Sequence, residues 1–193
     1  MRRAAWAAAL AAAAGAAACE PFDPVEASHE SVRQEALQAF DEWRRAAAEG
    51  RAEETFMRIS DGLKSQWVFA RLREGDPLIR AWRGALVGAA RTDLDLWWEH
   101  CRKYPQERVE ILPQTVLREP SLARLWKDYF AQQAAEVKFQ MSRLEVVDAY
   151  VDPTGVSILV RNAFGRQEMY ELVPEAGIWR INHHRVGPGV TAR

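Results

Sequence analysis

Two thiols, one pair of neighbouring imidazoles and a few carboxylates in alternating segments are the groups of this chain with the means to do chemistry. The thiols are Cys19 and Cys101, the only cysteines among 193 residues. Cys101 closes the run LDLWWEHC, one turn beyond Trp97 and Trp98. That setting allows a buried core thiol or a reactive nucleophile. His100 beside it points about 100° away on a helix and cannot share its face. His183 and His184 are the one local imidazole cluster. On a regular strand they face opposite sides and cannot both ligate one ion, a limit that disappears if they lie past the strand end. His183, Glu171, Asp148 and Glu145 are the candidates for a general base, a role that a buried carboxylate of raised pKa can fill. Asp148 and Glu145 fall on opposite faces of a regular strand, and solvent-exposed strand charge is the alternative for all of these groups. No HExxH, CxxC, P-loop or GxSxG pattern occurs. No catalytic residue, metal or cofactor is therefore expected from these motifs.

Cys19 differs from these groups because of what precedes it. Arg2 and Arg3 open the chain, and Ala4 to Ala18 carry no charge. That stretch is shorter than the roughly 20 residues a membrane span needs. A basic start, a short apolar stretch and a small-residue end predict a signal peptide over 1–18. The run GAAACE resembles the lipobox of bacterial lipoproteins, with Ala16 where that pattern prefers Leu. The resemblance implies that the Cys19 thiol is acylated and becomes the first mature residue, an N-terminal lipid anchor of the palmitate type. The other reading is ordinary secretion with cleavage after an Ala-x-Ala. With acyl chains attached, the membrane is the first partner, since each buried methylene contributes about 0.8 kcal/mol. The expected location is the bacterial cell envelope, with the domain outside the cytoplasm. Acylation of Cys19 leaves Cys101 without an intramolecular partner, so no disulfide framework is expected.

Composition excludes some partners. The formal charge is −1, and −3 once Arg2 and Arg3 are removed. Acid and base are mixed along the chain, without the basic stripe of a nucleic-acid binder. Beyond the leader no apolar run is long enough to span a bilayer. Eight tryptophans, one of them Trp6 in the leader, are many for this length. Most should be core, and an excess could line a pocket or partner surface.

The elements that must position these groups fall in two blocks. Residues 19–29 predict a tether, with Pro21 and Pro24 among acids and small residues. Residues 30–193 predict one domain. Val32, Ala36, Leu37, Phe40, Trp43 and Ala47 share a helix face that Gly50 ends. AEETFMRI predicts a short second helix, and SDGLKSQWVFARLREG a third. Asp76 then caps a helix with Pro77 at its first position. Residues 76–138 read as a helical middle. Within it Thr92 and Asp95 loosely resemble a capping box, and Ser121 caps a last helix with Leu122, Leu125, Trp126, Tyr129 and Phe130 inward. VEIL and TVLR, split by Pro113, predict short edge strands. From 142 to 184 the period changes to two, in four strand candidates with turns at DPTG, FGR and PEAG. Trp179, Ile181 and His183 are expected on one face of the last strand, and Arg180, Asn182 and His184 on the other.

The stretch AAAEGRAEETFMRISDGLKS followed by VSILVRN and QEMYELVPEAGIWRI resembles the nuclear-transport-factor-2-like superfamily over residues 30–65 and 142–184. The resemblance implies an α+β fold, with N-terminal helices packed on a curved C-terminal antiparallel sheet that closes as a cone around an apolar pocket. The helical middle departs from the family pattern. Trp179, Ile181, His183 and Tyr170 are the pocket candidates. The expected function is a non-catalytic envelope lipoprotein that binds a small apolar ligand or an envelope protein. The alternative is a small cone-type hydrolase, dehydratase or isomerase using His183 or a nearby carboxylate.

Overall fold

The apolar stripe of the first helix sets the rest of the fold. A computed structural model of the protein describes residues 24–104 and 109–186. In it α1 (Pro24–Ala48) buries Ala36, Phe40 and Ala47 completely or nearly so. The expected tether ends earlier than its prolines suggest, because residues 24–29 already belong to α1. Pro24 starts the helix instead of breaking it, since a first-turn proline gives up no intrahelical hydrogen bond. Gly50, at φ 77°, turns the chain into α2 (Ala52–Met57).

The next three residues join the helical and strand halves. Ile59 forms a parallel bridge to Ile181, in which Ser60 N–H donates to the Ile181 carbonyl (2.8 Å) and Ile181 N–H to the Arg58 carbonyl (2.9 Å). Ser60 then caps α3 (Asp61–Glu74), accepting from Leu63 N–H at 3.0 Å, and its hydroxyl donates to Asn182 Oδ1 at 2.9 Å. Gly75, at φ 69°, ends α3, as its position predicts. Asp76 caps α4 (Pro77–Ala85), with Pro77 at the first helical position.

Three local expectations are corrected in the middle. α5 (Gly88–Lys103) begins four residues before Thr92, so there is no capping box there. Asp95 instead binds Arg83 and Arg91, each at 2.7 Å. The first three residues of TVLR are helical, within α6 (Gln114–Leu117), with Arg118 as its C-cap, and residues 109–113 form no strand. The Leu112 N–H that a strand would place in a ladder is taken by the Ser65 hydroxyl at 2.8 Å, and Val116 is fully buried. α7 (Pro120–Ser142) starts at Pro120, which leaves Ser121 inside the helix, accepting from Trp82 Nε1 at 3.0 Å instead of capping.

Four strands follow: β1 (Glu145–Asp152), β2 (Gly155–Arg161), β3 (Gln167–Glu175) and β4 (Ile178–Val186). They form an antiparallel sheet in the order β1-β2-β3-β4, as the change of period predicts. α1 touches β1, β2 and β4 from one side. Val156, Ile158 and Val160 of β2, with Tyr170 and Leu172 of β3, are buried on that side. The fold is thus α+β, helices first and then a four-stranded antiparallel sheet, and one apolar core draws on every helix and strand described.

Two bulges break the simple alternation. In β4, Glu171 pairs with His183 while Leu172 pairs with Ile181, which leaves Asn182 as an extra residue. In β1, Val146 pairs with Val160 and Asp148 with Leu159, with Val147 extra. Each bulge inverts the facing of everything beyond it. His184 therefore lies on the α1 side, stacked on Tyr170 at 4.4 Å, and His183 lies opposite, with Glu171. The expectation that His183 follows Trp179 and Ile181 is overturned by this one inserted residue. Likewise Glu145 and Asp148 share a face, since their partners Arg161 and Leu159 do.

Candidate ligand-binding site

Three helices bring tryptophans together. On α1, Trp43 and Ala47 are one turn apart. On α3, Trp67 and Arg71 are one turn apart. On α7, Trp126, Tyr129, Phe130, Gln133, Val137 and Met141 follow one another at helical spacing. These residues, with Thr55 of α2, line a cavity of about 170 Å³. Its walls are ring edges and faces. Trp67 meets Trp126 and Tyr129 edge-on, each at 5.2 Å between centroids, and Phe56 packs on Trp126 at 5.8 Å. Such pairs hold the rings in fixed geometry, each contributing about 0.5–1.5 kcal/mol beyond area burial.

The polar groups at this cavity are few. Thr55 hydroxyl is satisfied by the Arg51 carbonyl at 2.9 Å. Arg71 lies over the Tyr129 ring at 5.3 Å and pairs with Glu74 at 3.0 Å. Burial pushes the Tyr129 hydroxyl up to about 12, with the nearby Asp76 carboxylate adding to the rise. The two groups approach without hydrogen-bond geometry, so Tyr129 Oη has no partner among the described residues. The same holds for Trp43 Nε1 and Trp126 Nε1, both closed off from solvent.

A second, larger cavity of about 690 Å³ lies by the β1–β2 turn. It is lined by Asp152, Thr154, Glu171, Asn182 and His183, with Gln66 of α3. The register places the His183 and Glu171 side chains next to each other here, on the sheet face away from α1. Asp152 is occupied by its turn: its carboxylate accepts from Thr154 N–H (2.8 Å), Thr154 hydroxyl (2.7 Å) and Gly155 N–H (2.9 Å). A side chain at Gly155 would place its Cβ 2.0 Å from the Leu172 carbonyl oxygen, so only glycine allows this close pairing.

The four predicted pocket residues are divided between two places. Tyr170 and Ile181 are core, 3 % and 2 % exposed. Tyr170 packs on Phe40 and Trp43, and burial, then Glu168, raises its hydroxyl above its ordinary range. Trp179, half-buried on the α1 side, reaches Glu35 at 3.5 Å. His183 alone of the four borders the polar cavity, and none of the four lines the aromatic one. His183 and His184 are both inside β4 and face apart. Among the described residues no group of three His, Cys, Asp or Glu side chains is placed to hold a metal ion. Asp148, half-buried, faces Arg33 at 3.8 Å, and Glu145, exposed, faces Arg161 at 3.7 Å. Cys101 is buried, and that burial raises its thiol pKa, which favours the neutral, unreactive form. Cys19 and the signal segment lie outside the described residues. Among those residues no helix is long and apolar enough to cross a membrane.

The aromatic cavity was missed at the sequence level because each tryptophan satisfied its own helix stripe. The one available signal was the number of tryptophans on separate helices. No known family, curated protein or solved structure matches the chain.

Proposed function

We propose that this is a lipid-anchored lipoprotein of the bacterial envelope, tethered through Cys19, whose outward domain binds a small apolar ligand without chemistry. The observation that carries the reading is the aromatic cavity among α1, α2, α3 and α7. An apolar cavity of about 150 Å³ holds a benzene-sized molecule. A cavity of this kind with a few polar groups is the default binding site of a fold. Support for the nuclear-transport-factor-2-like, cone-type reading comes from α1 lying across the sheet, the Ile59 bridge beside β4 and the closing β3–β4 hairpin. Native mass spectrometry of the full chain, extracted from its own membrane in mild detergent, tests the function. A discrete added mass of about a hundred to a few hundred daltons is expected beyond the acyl chains, the scale of one ring-bearing molecule. A chain that carries its acyl mass alone, and takes up no apolar probe, would shift the assignment to an envelope protein partner.

One observation favours a second reading. His183 and Glu171 stand side by side at the larger cavity, a geometry open to general acid–base work in a cone-type hydrolase, dehydratase or isomerase. On that reading His183→Ala abolishes turnover of a substrate found by screening while its circular dichroism and melting curve stay unchanged. An unaltered rate removes His183 from the mechanism.

A further inference from the structure

Cys19 and the start of α1 at Pro24 are five residues apart, and five residues span at most about 18 Å even fully extended. An acylated Cys19 lies in the headgroup layer, so the end of the domain that carries the first turn of α1 is held beside the bilayer. Hydrogen bonds identify that end. Arg44 Nη1 donates to the Met141 carbonyl at 3.3 Å, just before β1, and Arg33 Nε to the Ala149 carbonyl at 3.1 Å, within it. α1 therefore runs antiparallel to β1. Its start, about 14 Å along the helix from Arg33, reaches the level where β1 reverses into β2. In an antiparallel sheet of this order the β3–β4 turn is at the same end, and the β2–β3 turn with Phe164 is at the other.

Resting on the lipoprotein reading above, we propose that this end is a membrane-docking surface whose occupant is the zwitterionic phospholipid layer that holds the Cys19 anchor. Tyr150 and Ile178 are exposed close to the two turns, and Trp179, next in β4, is half-buried. Tryptophan and tyrosine favour the layer between water and hydrocarbon. The charges at this end are already engaged. Glu30 and Asp148 face Arg33 at 3.3 and 3.8 Å, Glu175 faces Arg180 at 3.4 Å, and Asp152 is held by its turn. Acids outnumber bases in this set, which disfavours an anionic layer. A short tether keeps the surface and the bilayer at high effective concentration, so a small apolar contact suffices. Trp43, at the aromatic cavity, is about 29 Å along α1 from Pro24, so that cavity is carried away from the bilayer.

Spin labels on Ile178→Cys and, as the far-end control, Phe164→Cys test this in the full lipidated chain, placed in nanodiscs of zwitterionic phospholipid. Cys101 is buried and Cys19 acylated, so the introduced thiol takes the label. Electron paramagnetic resonance reads each label's collisions with oxygen, which concentrates in lipid, and with a nickel chelate, which stays in water. The expected ratio of oxygen to nickel collisions is several-fold higher at 178 than at 164. Tyr150→Cys reads the same surface if Ile178→Cys melts early. An acylated chain whose labels at 178 and 150 stay in water would overturn the docking surface and leave the lipoprotein reading standing. So would a label at 164 that enters lipid in their place. Contact that forms only with anionic lipid and fades with added salt would overturn the zwitterionic assignment. A chain with no acyl mass on Cys19 would overturn the surface and the lipoprotein reading together.

Discussion

At the scale of single residues, Asp152 shows how one carboxylate serves a turn and borders a cavity. It accepts from Thr154 and Gly155 where β1 reverses into β2. The Thr154 hydroxyl first, then the Thr154 and Gly155 N–H groups, hold its carboxyl below the usual carboxylate range. A pKa lower in the folded than in the unfolded chain stabilises the fold above the unfolded value of about 3.9. That contribution is lost as pH falls through the folded value. Asp152→Asn should therefore unfold at lower urea than wild type at pH 7, and the gap should narrow as pH falls below about 3.9. A gap that persists at acid pH would mean the carboxylate charge is not what the turn uses. Ser65 has a comparable double duty in the interior, donating to the Asp61 carbonyl at 2.6 Å while accepting from Leu112. Neither role is visible in a hydropathy pattern, because both depend on a polar atom from a distant segment.

At the scale of elements, turn chemistry was the legible part and strand facing was not. PEAG was expected to reverse the chain between the last two strands, and it does, through Ala176 and Gly177 at φ 53° and 76°. Two successive positive φ values suit the right-handed twist of a hairpin, and glycine takes them freely, but alanine pays a steric cost. Ala176→Gly should relieve about 0.5–1 kcal/mol of strain. In differential scanning calorimetry this should appear as a melting temperature about 1–4 °C higher for a chain of this size. A lower melting temperature would show that the entropy lost by glycine on folding outweighs the strain. The bulges at Val147 and Asn182 had no such signature. Period-two reading assumes that no residue is inserted, so one extra residue in β4 exchanged the faces of His183 and His184. The capping box at Thr92 and the strands around Pro113 failed for a related reason. Their groups found partners in other segments, Asp95 with Arg83 and Leu112 with Ser65.

At the scale of the whole molecule, the proposed address and the proposed cavity rest on separate parts of the chain. The address rests on the leader over residues 1–18 and on GAAACE, so Cys19→Ala should move the protein out of a radiolabelled-palmitate band and abolish lipid-dependent partition into detergent. A Cys19→Ala protein that still incorporates label would end the lipoprotein reading. The cavity rests on packing. Order of elements, the shift from helix to antiparallel sheet, the end of α3 at Gly75 and the cap at Asp76 could all be read from the sequence. These depend on neighbours within a few residues or on a periodicity that one element carries by itself. Which tryptophans meet around a cavity, and which indole N–H groups are left without a partner, was decided only by the tertiary structure. Trp43, Trp67 and Trp126 belong to three helices, and each looks like an ordinary core residue on its own stripe. Whether rings from different helices close-pack or leave space between them depends on the helices' relative placement, a long-range property that no single stripe records.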